Sequence, residues 1–387
     1  MIGRSLAKRF VASTTADACV ALLLSGWLLV GYEAHARNTA VVLDAPDFVQ
    51  ISVTQLSAVK DQLRNALGIS WGETLATLVP VTLENGTHEI VRLTRMYSRS
   101  SHPYIELIHA DPQIGPWAPF DDEFGQRPRT TMVWRVGIPE FSAAKNQMEA
   151  AGLTQIAVGP GFAYYKTVSG VQLEVIRSTL APDPAHGKPN EPPPGKIDLG
   201  ALNHLSIALR PNPAPNQYEI PDDNTTLRAQ ITAATGGGIQ WDLIAQFVPP
   251  GTPEPGIPYF NEHEQLVSFL HPNIDYACNP HPFLNSISTI PNIAPLGATA
   301  TSTIFSHAWV PSGSGLDASG AAVMEAAENQ VLAAGLQSTL RLDARFLGLT
   351  QFPVNIFHYF TGIDNVDIQL LNSAFENHPT SQCTTLP

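Results

Sequence analysis

Two glutamates stand where a strand would turn its polar side away from a core. Tyr104–Ile108 reads YIELI and Val171–Ile176 reads VQLEVI, so Ile105, Leu107, Leu173 and Val175 alternate against Glu106 and Glu174. Alternation of this kind sends the apolar side chains to one face of a sheet and the carboxylates to the other. On an open sheet both carboxylates are solvated. On the inner face of a curled sheet they are desolvated, and two that approach each other cannot both ionise easily. One of them then holds its proton more tightly and can exchange it with a carbon beside a carbonyl. Glu106 and Glu174 are therefore the candidate catalytic pair. His102, His109, His263, His271 and His281 fall in Pro-rich loops or beside strand ends and read as surface groups. No GxSxG, HExxH or phosphate-loop pattern occurs, and Gly159-Pro160-Gly161 is a turn with no Lys-Ser/Thr after it.

The element that carries Glu174 occurs twice. Ala143–Leu153 reads AAKNQMEAAGL and Ala326–Leu336 reads AAENQVLAAGL. Phe162–Ile176, FAYYKTVSGVQLEVI, matches Phe357–Leu371, FHYFTGIDNVDIQLL, without a gap. Apolar residues three and four apart make the first part a helix, and Gly152 ends it. The second part is a hairpin. Such a repeat points to an architecture of recurring units.

Read in order, the chain gives those units. Phe48–Val53 is a strand, and Leu56–Leu67 is an amphipathic helix closed by Gly68. Leu75–Leu83, Ile90–Tyr97 and Tyr104–Ile108 are three strands, with Pro80 marking an edge or a bulge. Thr131–Val136 begins the series again, followed by the Ala143–Gly152 helix and strands ending at Val175. Residues 45–180 thus hold two βαβββ units. The Pro-rich stretch PDPAHGKPNEPPP falls within 181–198 and reads as a semi-rigid linker that neither packs nor pairs well. Residues 199–387 read as a second, eroded copy. In it Leu202–Leu209 is the first strand, and IQWDLIA (Ile239–Ala245) matches YIELIHA, which sets Asp242 at the place of Glu106. A Pro-rich insertion over 249–300 follows, and Thr303–Val310 opens the last unit. The expected fold is α+β, in two tandem modules of paired βαβββ units.

This order of elements resembles the vicinal oxygen chelate superfamily, which includes glyoxalase I, methylmalonyl-CoA epimerase, extradiol dioxygenases and bleomycin-resistance proteins. In the first half the likeness rests on ISVTQL with its helix ending in LGISW, on YIELI, on AAGL and on GVQLEVI. In the second half it rests on the internal repeat. The resemblance implies paired units curled into a cup, with metal ligands on the first and last strand of each unit. Carried over, the first-strand histidines fall on Phe48 and Thr131, and the last-strand glutamates fall on Glu106 and Glu174. With two positions lacking a ligating side chain, the first module is expected to hold no tightly bound metal. Phe48, Gln50, Thr131 and Tyr164 would line its substrate cup. In the second module His204, Asp242 and His307 could form a His/carboxylate/His set for a divalent metal such as Fe, Mn or Zn. The plainer alternative is that these are packed or solvated strand residues. The resemblance implies a lyase or isomerase acting on a small carbonyl compound through the cup carboxylates. The alternative is a non-catalytic protein that sequesters a small molecule without metal, and a third reading is a surface-interaction role for the Pro-rich second half.

The N-terminus has the pattern of an export leader. Arg4, Lys8 and Arg9 precede the apolar run Ala18–Tyr32, and Ala34-His35-Ala36 is a small-residue cleavage site. Residues 1–36 are thus expected to be removed, giving a secreted or periplasmic chain with no stable membrane insertion. An uncleaved anchor is the alternative. Cys278 and Cys383 then remain as an even pair in an oxidising compartment, where a disulfide is expected and a metal site is the weaker alternative. The chain has 387 residues, 44% hydrophobic and 14% charged, with a net charge of −13. That supports sizeable cores and argues against nucleic acid or anionic membrane as partners.

Overall fold

Leu56, Val59, Leu63, Ala66 and Leu67 fall three and four apart, are all buried, and make α1 (Leu56–Leu67) in the computed structural model. Gly68 stops the helix at φ 73°, where its N–H reaches Arg64 O at 2.9 Å. The structure describes residues 40–43, 48–99, 104–117, 120–121, 130–159, 161–178, 191–200, 202, 204–207, 224–237, 240–247, 263–270, 284–289, 301–302, 305–362 and 367–375. The leader, Cys278 and Cys383 lie outside them, and the account below concerns the unit Val41–Pro387.

Four βαβββ units follow one another. The first is β1 (Phe48–Ser52), α1, β2 (Leu75–Leu83), β3 (His88–Tyr97) and β4 (Tyr104–Asp111). A short strand, β5 (Phe120–Asp121), leads to the second: β6 (Thr130–Gly137), α2 (Phe141–Ala150), β7 (Thr154–Val158), β8 (Phe162–Lys166) and β9 (Gln172–Ser178). The third is β10 (His204–Ile207), α3 (Asn224–Ala234), β11 (Gln240–Phe247), β12 (His263–Leu270) and β13 (Leu284–Thr289). After β14 (Thr301–Ser302), which pairs with β5, comes the fourth: β15 (Phe305–Trp309), α4 (Ala318–Ala333), β16 (Gln337–Asp343), β17 (Asn355–Thr361) and β18 (Asp367–Leu371). The α+β class and the paired units are those expected.

The way the units pair differs from the order of the chain. The first and fourth units close an eight-stranded barrel in the order β1-β15-β18-β17-β16-β2-β3-β4. The second and third share an eight-stranded sheet in the order β11-β12-β13-β10-β6-β9-β8-β7. In each case the first strands meet antiparallel, β1 on β15 and β10 on β6. Each first strand also lies parallel to the last strand of its own unit, as β1 does with β4. The expectation that units one and two would share a sheet is therefore corrected. An antiparallel edge contact needs only a free first-strand edge, and all four units offer one.

The helices keep the chain order. Gln62 of α1 donates to Gly152 O at 2.6 Å and accepts from Val168 N, while Gln147 of α2 donates to Ala66 O at 2.7 Å. Gln230 of α3 donates to Ala334 O, and Gln330 of α4 donates to Ala234 O at 2.9 Å. One core sets Val49, Ile51, Ile105 and Leu107 against Met132, Trp134, Leu173 and Val175 across α1 and α2. The other core includes the barrel's apolar lining and the buried side of α4. Units one and two are thus joined through helices and their core, not through strands.

Two further expectations change. The third unit is a complete βαβββ series, because the stretch 249–300 supplies β12 and β13. β13 lies parallel to β10 as the last strand of the unit. Asp242 therefore sits on the first strand of the hairpin region, and its alignment with Glu106 is wrong. The end of the Pro-rich linker also packs: Glu191 N donates to Gly68 O at 2.9 Å, and a Cβ on Gly68 would lie 2.9 Å from Pro192 N.

Candidate functional site

The barrel interior gathers the polar residues. β1 and β4 run parallel with Gln50 beside Glu106, and alternation turns both inward while Ile105 and Leu107 enter the helix-side core. Glu106 is 1% exposed. Gln50 Nε2 donates to Glu106 Oε2 at 2.6 Å, and the Tyr359 hydroxyl donates to Gln50 Oε1. Tyr359 in turn accepts from Trp117 Nε1 at 3.3 Å. Trp117 ends a 3-10 turn, Gly115–Trp117, that follows β4, and it is 1% exposed. Its ring meets Phe357 and Tyr359 edge-on, with centroids 5.9 and 5.7 Å away, and Ser52 Oγ donates to its carbonyl.

β3 supplies the other side. Tyr97 pairs with Glu106 across the β3–β4 ladder, and Arg95, two residues earlier, lies on the same strand face. Arg95 Nη1 stands 3.8 Å from Glu106 Oε1 and donates to the Tyr97 hydroxyl at 3.3 Å. The Arg95 side chain is 28% exposed, so the polar cluster is open to solvent at the Arg95–Tyr97 end and closed at the Trp117 end. Gln369 on β18 stands opposite Tyr359 and turns its amide to the same face; its Oε1 is buried with no hydrogen-bond partner among the described residues.

Burial holds the Glu106 carboxyl above its ordinary range, and the Arg95 charge and the bonds from Gln50 and Tyr97 only partly offset this. Tyr97 and Tyr359 are raised as phenols, first by burial and then by the nearby Glu106 charge. Near neutral pH the site therefore presents two phenol donors, one guanidinium and one carboxyl that gives up its proton reluctantly.

The sequence candidates divide between the two sheets. Phe48, Gln50 and Glu106 lie in the barrel. Thr131, Tyr164 and Glu174 lie in the other sheet, where Thr131 Oγ1 donates to Gln172 Oε1 at 3.3 Å and Tyr164 pairs with Glu174. Glu106 and Glu174 thus do not share one cup. Gln50, rather than Phe48, is the first-strand residue beside the barrel carboxylate, while Phe48 packs edge-on against Tyr97 at 6.0 Å. His204 pairs with Val133 on β10, Asp242 lies on β11, and His307 pairs with Val49 in the barrel wall. These three backbone positions are spread over two sheets.

Among the described residues no group of three or more His, Cys, Asp or Glu is arranged to hold a metal ion. Among the described residues the donors around Glu106 are Gln50 and Gln369, with Asp367 two residues before Gln369 on the same face and bonded to Thr361 Oγ1; none is an imidazole, and both functional atoms of Gln50 are already bonded. That donor set does not fit a His/carboxylate transition-metal centre. Arg95, Tyr97, Trp117 and Tyr359 were not singled out from sequence as barrel residues. The spacing of Arg95 and Tyr97 on one strand, and the match of Tyr359 to Tyr164 in the repeat, were the available signals. Trp117 left none.

No family model matches the chain, and no curated protein matches it. Among solved structures, a glyoxalase I variant from Zea mays is similar over 85% of this chain and 92% of its own, at 9% identity and a TM-score of 0.45. A Bacillus subtilis protein assigned as a dioxygenase is similar over 86% of both chains, at 13% identity and a TM-score of 0.41. A FosX fosfomycin resistance protein variant from Listeria monocytogenes covers 34% of this chain and 89% of its own, at 11% identity and a TM-score of 0.24. No helix among the described residues is long and apolar enough to cross a membrane.

Proposed function

We propose that the barrel of the first and fourth units is a cup for a small carbonyl compound, and that Glu106 moves a proton beside that carbonyl. The observation that carries this reading is the buried carboxyl of Glu106 on the inner wall, with Gln50, Tyr97 and Arg95 around it. A carboxylate raised toward neutral pH is a stronger base than one in water. Removing a proton from the carbon leaves an enolate, and its oxygen needs fixed donors. Arg95 and the Tyr97 hydroxyl stand at the open end, where such an oxygen would enter. The reaction class is that of an isomerase or lyase. The leader pattern of residues 1–36 supports reading the chain as an exported protein, secreted or periplasmic.

A second reading is non-catalytic sequestration. It is favoured by the internal bonding of the barrel, where Gln50 already links Tyr359 to Glu106. Proton exchange separates the two. The protein in D2O with a panel of small hydroxy-ketones and 2-oxo acids is expected to wash deuterium into the carbon beside the carbonyl, and Glu106→Gln is expected to stop it. Binding of a panel member, seen as a raised unfolding temperature, with no exchange above the Glu106→Gln background would leave sequestration as the function.

A further inference from the structure

On the outer wall of the barrel a serine, a histidine and a glutamate stand in line. Ser338 on β16 lies with Oγ 2.7 Å from His358 Nε2 on β17. His358 Nδ1 lies 3.2 Å from Glu328 Oε1 on α4, within ion-pair distance though off the line of a hydrogen bond. Asn355 Nδ2 holds the same carboxylate oxygen at 2.8 Å. The imidazole is 2% exposed and rests against Phe360, with ring centroids 4.0 Å apart. The Glu328 side chain is 15% exposed, and Ser338 is half-buried. The two nitrogens of one ring thus face a hydroxyl and a carboxylate. This is the order a nucleophile, a base and an orienting group require.

The local frame does not require these residues. The corresponding segment of the second unit carries Lys145, Gln155 and Ala163 in their places. Its strands pair in the same way: Gln155 with Tyr165, Ala157 with Tyr164 and Val158 with Ala163. In the fourth unit the pairs are Ser338 with Phe360, Leu340 with Tyr359 and Arg341 with His358, with the register shift at the same place. The same helix, turn and hairpin therefore form with a buried alanine where His358 stands. Burying an imidazole there costs free energy that the alanine avoids. The three polar residues are an addition to the frame.

We propose that Ser338, His358 and Glu328 form a second catalytic site, separate from the barrel interior, that cleaves small acyl esters. Ser338 Oγ bonds to the acyl carbon while His358 Nε2 takes the hydroxyl proton. The bond from that carbon to the leaving oxygen then breaks, and the proton passes from His358 to that oxygen. Water attacks the acyl-serine, gives a proton to His358 and releases the carboxylic acid, and the proton returns to Ser338. Glu328 is a positioning residue: its carboxylate, 3.2 Å from Nδ1 and fixed by Asn355, is the negative charge beside the imidazolium that forms.

The test uses the full chain with a fluorophosphonate probe, adducts mapped by peptide mass spectrometry, and 4-nitrophenyl acetate hydrolysis followed in parallel. One adduct on Ser338 is expected, absent in Ser338→Ala. Labelling and hydrolysis should both be slowed at least about tenfold in Glu328→Gln. Glu106→Gln should leave both unchanged, which separates this site from the barrel. Circular dichroism confirms that each variant is folded. No adduct on Ser338 in folded protein, or a Glu328→Gln rate equal to that of the parent, would overturn the proposal.

Discussion

Replacing Glu106 with Gln tests the electrostatics of the barrel without emptying it. Glutamine keeps the oxygen that accepts from Gln50 Nε2, now at 2.6 Å, and removes a desolvated carboxyl. The Arg95 contact that is lost is long, 3.8 Å, and Arg95 keeps 28% of its side chain in solvent, so the substitution does not strand the guanidinium in a fully buried place. Burial raises the folded-state pKa of Glu106 above its ordinary 4.5. Below that value both folded and unfolded chains carry the proton, and the stabilisation of the folded state is fully present. Between 4.5 and the raised folded value, only the folded chain carries the proton. Unfolding free energy therefore falls as pH rises, with a limiting slope of about 1.4 kcal/mol per pH unit. Above the folded value the stabilisation is gone. Urea unfolding of parent and Glu106→Gln at a series of pH values reads this directly. The parent is expected to lose stability relative to the variant as pH rises through that window. Parallel curves would refute the desolvated carboxyl, and a parent that gains stability with rising pH would show that Arg95 and the hydrogen bonds dominate burial.

Tyr359→Phe removes the donor to Gln50 and the acceptor of Trp117 Nε1, leaving two buried groups unpaired, and should destabilise by about 1–3 kcal/mol in denaturant unfolding. Gly68→Ala forces φ 73° on an L-residue and drives its Cβ to 2.9 Å from Pro192 N, so it should cost more than the roughly 1 kcal/mol of backbone strain alone. Gly86→Ala, at φ 79° with open space around it, should cost only that strain, and equal unfolding temperatures for the two would contradict the packing of 191–193 on α1. Thiol labelling of non-reduced protein from an oxidising compartment should find Cys278 and Cys383 blocked, and two reactive thiols would rule out their bond.

Local pattern made much of the secondary structure legible. The bounds of α1 follow from the spacing of Leu56, Val59, Leu63 and Leu67 and from Gly68 after them. The inward turn of Glu106 follows from Ile105 and Leu107 on either side of it. Alternation names the face of a strand but not its place in a unit. IQWDLIA therefore looked like a last strand, while β11 opens the hairpin region and β12 and β13 emerge from a stretch whose prolines suggested none.

Which units would share a sheet was not written in any one segment. β1 and β6 offer the same kind of edge, and the entropy of closing a loop grows only slowly with its length, so chain order gives one pairing little advantage over another. Joining units one and four buries Trp117 between Phe357 and Tyr359, and it links Gln50 on β1 to Tyr359 on β17. It also separates Glu106 from Glu174. The sequence by itself determined the first, second and fourth units, the faces of their strands and the places of Glu106 and Glu174 on them. Only the tertiary structure decided which side chains face one another, because that depends on contacts between segments far apart in the chain.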